Sequence, residues 1–140
     1  MRAAILAAGF ILAAGAAFAG ETPAPAGAEV YFIAPQDGAT VSSPVTVRFG
    51  LKGMGVAPAG VEKEHTGHHH LLIDTEAPSG AALNEPLPAD DRHKHFGGGQ
   101  TETIVELAPG THTLQLLLGD WSHIPHNPPV MSEKITITVK

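Results

Sequence analysis

VYFIAPQDGATVSSPVTVRF, residues 30–49, is the stretch whose reading decides the fold. Val30-Tyr31-Phe32-Ile33 is a compact run of β-branched and aromatic residues that stops at Pro35. Gln36-Asp37-Gly38 carries turn chemistry, because Asp bonds its own backbone and Gly accepts positive φ. Val41, Val45, Val47 and Phe49 then alternate with Ser, Thr and Arg. Side chains on a strand point to opposite faces in turn, so 44–51 is predicted as a half-buried strand. Strand, Pro-x-Asp-Gly turn and half-buried strand form a pattern typical of immunoglobulin-like sandwiches.

The same signals recur further along. Lys52 to Thr66 reads as a loop, and HHHLLID (68–74) as the next strand. Thr75 to Asp91 is a long Pro/Ala/Asp loop, longer than most connections in compact domains. His93 to Phe96 is a short strand broken by Gly97-Gly98-Gly99. Thr101–Leu107 and Thr111–Leu118 flank Ala108-Pro109-Gly110, and 101–118 is predicted to be a hairpin. A Pro-rich loop from Gly119 to Met131 carries the only Trp, and KITITV (134–139) closes the domain. The expectation is an all-β fold, an immunoglobulin-like antiparallel β-sandwich of about seven strands.

The amino terminus has a different composition. Met1-Arg2, an uncharged apolar run from Ala3 to Phe18, and Ala17-Phe18-Ala19 have the form of a secretory signal peptide over 1–19. The run is too rich in Ala and Gly to favour a retained membrane anchor. No Cys follows it to carry a lipid. Residues 20–28 are expected to be a flexible Pro/Ala linker and 29–140 a single domain. A periplasmic or secreted location follows, with no membrane anchor after cleavage.

The formal charge is −6, and one unit more negative without Arg2. That argues against nucleic acid, which needs a basic face. With no Cys, the fold has no disulfides, and soft metal chemistry must use His and Met. Glycines 97–99 lack the Lys-Ser/Thr of a phosphate loop, and no Gly-x-Ser-x-Gly elbow exists.

Eight of the nine histidines fall in three clusters. On a strand, His68 and His70 share one face with Leu72, while His69, Leu71 and Ile73 look to the core. His93-x-His95 repeats the spacing. His123-x-x-His126 sits in a loop stiffened by Pro125, Pro128 and Pro129. Neutral imidazole is the commonest protein metal ligand. His68, His70, His93, His95, His123 and His126 are therefore the candidate ligands. Asp120 could orient a ligand imidazole, His69 stands at the core margin, and Trp121 either caps the core or shields the site. His65 reads as solvated and His112 as a packing or surface residue. Met54 and Met131 read as gap-filling side chains rather than thioether ligands.

GHHHLLID (67–74), HFGGGQTE (95–102), PGTHTLQLLLGD (109–120) and HNPPVMSEKITITV (126–139) together resemble a bacterial exported family, domain of unknown function 4399. The resemblance spans about residues 30–139. It implies a small periplasmic or secreted single-domain protein and brings no established activity.

Three functions compete. The first is an exported metal-binding protein for ion buffering or delivery, with a periplasmic donor or acceptor protein as partner. An all-imidazole, thiol-free donor set ranks copper first, with zinc next. The second is a non-catalytic immunoglobulin-like structural or interaction module of the cell envelope. The third is a His-ligated metalloenzyme, for which Glu102 and Asp120 are the general-base candidates.

Overall fold

A computed structural model describes residues 20–140. The signal-peptide expectation for 1–19 lies outside those residues. Nine strands form among the described residues: β1 (Glu29–Ala34), β2 (Thr40–Val41), β3 (Val45–Lys52), β4 (Gly55–Val56), β5 (Thr66–Ile73), β6 (His93–His95), β7 (Glu102–Val105), β8 (Gly110–Gly119) and β9 (Ile135–Val139). One short 3-10 turn, Gly80–Asn84, lies in the long loop. The excess over the expected count comes from β2 and β4, two residues each, too short to show alternation.

The strands make two sheets. The smaller has the order β1-β3-β7 and the larger β2-β9-β8-β5-β4, with β6 also pairing β5. Pairing is antiparallel except for β2 with β9 and β4 with β5. β4 takes the first two residues of β5 and β6 its distal half, so one side of β5 is shared between two short strands.

The core lies between the sheets. Val45, Val47 and Phe49 point into it from β3, at the positions the alternation predicts. Leu71 and Ile73 of β5, Leu114, Leu116 and Leu118 of β8, and Ile135, Ile137 and Val139 of β9 meet them from the larger sheet. Truncating one such Leu or Ile to Ala costs about 2–5 kcal/mol, through lost burial and the cavity left.

Two expectations change. The 101–118 stretch is not a hairpin: β7 pairs β3 in the smaller sheet, while β8 lies between β5 and β9 in the larger. The chain crosses between sheets at Ala108-Pro109, and Gly110, with φ 130°, makes a turn that L side chains rarely adopt. Turn residues mark a reversal of the chain. They do not say which edge the next strand finds.

Residues 20–28 lie against the domain. Asn127 donates to the Thr22 carbonyl, and its own carbonyl accepts from Ala24 N–H, both at 2.9 Å. Ala24 and Ala28 pack on the core. The proline spacing that suggested a spacer is also compatible with an extended segment laid along a loop.

The outer face of the larger sheet is covered as well. Leu72 and Leu117 face away from the main core, and Leu87 of the long loop packs on them with Ala77. β5 is consequently buried on both faces over most of its length.

Candidate metal centre

β5 is the base of the site. Its alternation sends His68 and His70 to the outer face, as the sequence predicts, and both rings are buried (0% and 2% exposed). Register sets their neighbours. His70 lies opposite Leu117 of β8 and His95 of β6, and His68 opposite Gly119. A Cβ at Gly119 would overlap the His70 ring, so this strand end needs a glycine for space rather than for an unusual φ.

The turn after β8 supplies His123, and Asp120 builds that turn. The Asp120 Oδ1 accepts from Ser122 N–H (2.9 Å), Ser122 Oγ (3.0 Å) and Ile124 N–H (3.0 Å). Its Oδ2 accepts from Thr22 Oγ1 at 2.7 Å. The Asp120 carbonyl accepts from His123 N–H, and Asp120 N–H donates to the Ile124 carbonyl. His123 is left in the left-handed region at φ 69°, a conformation that costs about 1–3 kcal/mol outside glycine. Leu87 N–H of the long loop donates to the His123 carbonyl at 2.9 Å. The strained turn is thus held from three directions, with its imidazole aimed at β5.

His68, His70 and His123 each offer a ligand nitrogen within 4.8 Å of the others. Ring centroids stand 4.6 Å apart for His68–His70, 4.8 Å for His68–His123 and 5.8 Å for His70–His123. His68 Nε2 and His123 Nδ1 share a hydrogen bond of 3.0 Å. The remaining buried nitrogens, His68 Nδ1 and both of His70, have no partner. His95 is the outer member, 5.2 Å from His123 and 6.1 Å from His70 between ring centroids.

Electrostatics keep the inner rings neutral. Burial, then the neighbouring His123 and His95, lowers the His68 pKa to about 4, against a weaker upward pull from Asp120. Burial, then His68 and His123, lowers His70 to about 3. Burial pushes the Asp120 carboxyl up, but hydrogen bonds from Thr22, Ile124 and Ser122 outweigh it and hold the group below the usual range. At neutral pH His68 and His70 are therefore neutral imidazoles, near the fixed negative charge of Asp120. That set suits a borderline or soft cation.

The other sequence candidates stand elsewhere. His93 shares the outer face but lies opposite Leu72, and its Nδ1–H donates to Asp90 at 2.8 Å. His126 is fully buried at the end of β5, where its ring meets Gly67, a residue of the core-facing set. Its Nε2–H donates to the Thr66 carbonyl at 3.1 Å. The three-residue spacing from His123 spans a reversal, so the two loop histidines serve opposite faces. Asp120 positions His123 through the backbone of its turn and not by bonding an imidazole. His69 goes beyond the core margin to full burial, 5.1 Å from Phe49 between ring centroids. Trp121 is 43% exposed, so it does not cap the core, and its carbonyl accepts from Gly60 N–H. Glu102 sits on the smaller sheet, paired with Arg48 at 3.0 Å.

Thr22, Leu87 and Gly119 were missing from the sequence reading. Gly119 carried a signal, as a glycine between a strand of leucines and the acidic turn. Thr22 and Leu87 carried none, because each acts through one bond to a residue far away in the chain.

Fold and site together define a two-sheet all-β protein with a histidine cluster on the outer face of its larger sheet. The chain belongs to the family described as Domain of unknown function (DUF4399), whose family model matches residues 47–140. That match contains every histidine of the cluster and begins within β3, later than the resemblance read from the strings. No curated protein and no solved structure matches the chain.

Proposed function

We propose that this is an exported metal-binding protein that holds one ion on His68, His70 and His123, with His95 as an outer fourth ligand. Copper is the first choice of ion and zinc the second. The role is buffering or delivery in the periplasm, with a donor or acceptor protein as partner. One observation carries the reading: three imidazoles converge within 4.8 Å, and buried nitrogens among them lack any hydrogen-bond partner. An unpaired buried polar atom costs about 1–3 kcal/mol, and one ion could relieve one such atom on each of His68 and His70. Export rests on the pattern of residues 1–19.

We also read the architecture as immunoglobulin-like. The orders β1-β3-β7 and β9-β8-β5 match the A-B-E and G-F-C neighbours of that fold. A non-catalytic structural module is the second reading. His69 favours it, since both its ring nitrogens are also buried and unpaired although it belongs to no cluster. Competition titration of tag-free protein from Gly20 onward, with Cu(II), Cu(I) and Zn(II) near neutral pH, separates the two. One stoichiometric site of nanomolar affinity or better supports the metal reading. Weak, multiple, micromolar binding gives the module reading the lead.

A further inference from the structure

The four histidines form a gradient of access. His68 and His70 are buried, His123 is partly buried, and His95 is exposed. Each inner ring is on β5, a strand paired along both edges, or on the turn that Asp120, Thr22 and Leu87 hold. His95 is held far less. β6 is three residues long and, among the described residues, pairs with β5 alone.

Two further observations concern this residue. A Cβ built on Gly97 would lie 3.2 Å from His95 Cδ2 and 3.3 Å from Nε2. The Gly97 backbone is not in the left-handed region, so a side chain there would meet no φ strain but would crowd the His95 ring and Ala59, which would have to give by a few tenths of an ångström. His95 also lines a groove of ≈ 710 Å³ between β6 and β7, together with Asp90, His93, Ile104 and Glu106. It is the one cluster histidine that borders both the buried site and this groove.

We propose that His95 is the exchangeable ligand of the site, and that ions load and leave past it through the β6–β7 groove. The proposal rests on the metal-binding reading and deepens it. A partner would take the ion by ligand exchange. Its own neutral donor bonds the ion as the ion–His95 bond breaks, and the His95 ring turns out over Gly97. No electron or proton moves in that step. His68, His70 and His123 let go last, because burial and the braced turn leave their rings no other position. This division of roles makes affinity and exchange rate separately adjustable.

The test is release kinetics of the tag-free protein loaded with one equivalent of Cu(II) or Zn(II), whichever binds more tightly, on mixing with excess chelator. His95→Ala is expected to keep one bound equivalent and release it about tenfold faster or more, the lower end of what supporting groups at metal sites contribute. Gly97→Ala, which crowds the ring, is expected to slow loading and release together at unchanged equilibrium affinity. If His95→Ala abolishes binding as His68→Ala does, the four ligands are equivalent and the proposal fails while metal binding stands. Unchanged release in either variant also overturns it. A wild-type protein that binds neither ion tightly overturns the metal reading beneath it.

Discussion

His69 and His70 are chain neighbours on one strand, both buried, and both lack partners for either ring nitrogen. They differ in the face they occupy. His70 looks outward into three other imidazoles, whereas His69 looks inward onto Phe49 and a hydrocarbon core. Burial with missing hydrogen bonds is thus not enough to mark a site. Convergence makes the difference, because only on the outer face can one ion draw a nitrogen from each of several rings. The inner ring carries its desolvation with nothing to relieve it.

The sharpest way to break this contrast is to remove each ring in turn. His70→Ala should weaken copper or zinc binding by more than about a hundredfold, since even groups one step removed from a metal contribute ~10–100-fold. His69→Leu should leave affinity unchanged in the same titration. Equal losses from the two variants would mean that the strand, and not the outer face, is the functional unit.

Acid should act on both faces alike in the metal-free protein. Burial lowers His69 to about 4, close to His68 at about 4 and His70 at about 3, all below the ordinary 6.5. In the window between those values the unfolded chain binds protons that the native state refuses. Stability is therefore full above pH ~6.5 and falls as pH drops toward ~4, with a limit of about 3 kcal/mol for a group shifted that far. His112 has the opposite sign. Its Nδ1–H donates to Asp74 and its Nε2–H to the Ala108 carbonyl, which raises its pKa, so its contribution is present below 6.5 and fades as pH rises through the folded value. Urea unfolding from pH 8 to 4 in the presence of chelator measures the balance. A midpoint that stays level across pH 6.5 to 4 would show that the buried rings do not resist protonation.

The smallest effect is the most selective. His69→Leu replaces two unpaired nitrogens with hydrocarbon beside Phe49, and should raise stability by about 1 kcal/mol. The denaturant midpoint should shift upward at neutral pH and the acid loss should shrink. A marked drop would mean that the His69 ring has a hydrogen bond that is absent here, and the inner face would need its own functional account.

Much of this was legible in the residues. The alternation along β3, β5 and β9 placed Val47, Leu71 and Ile137 inward and His68 and His70 outward. His95 was a candidate by the His-x-His spacing it shares with His93, but its place beside His70 comes from the β5–β6 register. The joining of His123 to His68 and His70, and the separation of His126 from them, were not legible. Both lie in one Pro-rich loop, and their fates depend on the Asp120 turn, on Leu87 and on contact with Gly67. The hairpin expected at 101–118 was misread for a related reason. Ala108-Pro109-Gly110 reverses the chain equally well within one sheet or between two.

By itself the sequence determined the longer strands, the faces of His68, His69 and His70 on β5 and the absence of any thiol donor, because side-chain alternation is a local property of extended backbone. Tertiary structure alone decided which histidines meet. His68 and His123 come together across 55 positions through the β5–β8 register and a turn braced by Thr22. Those contacts follow from how two sheets bury a shared core, and no local pattern encodes that.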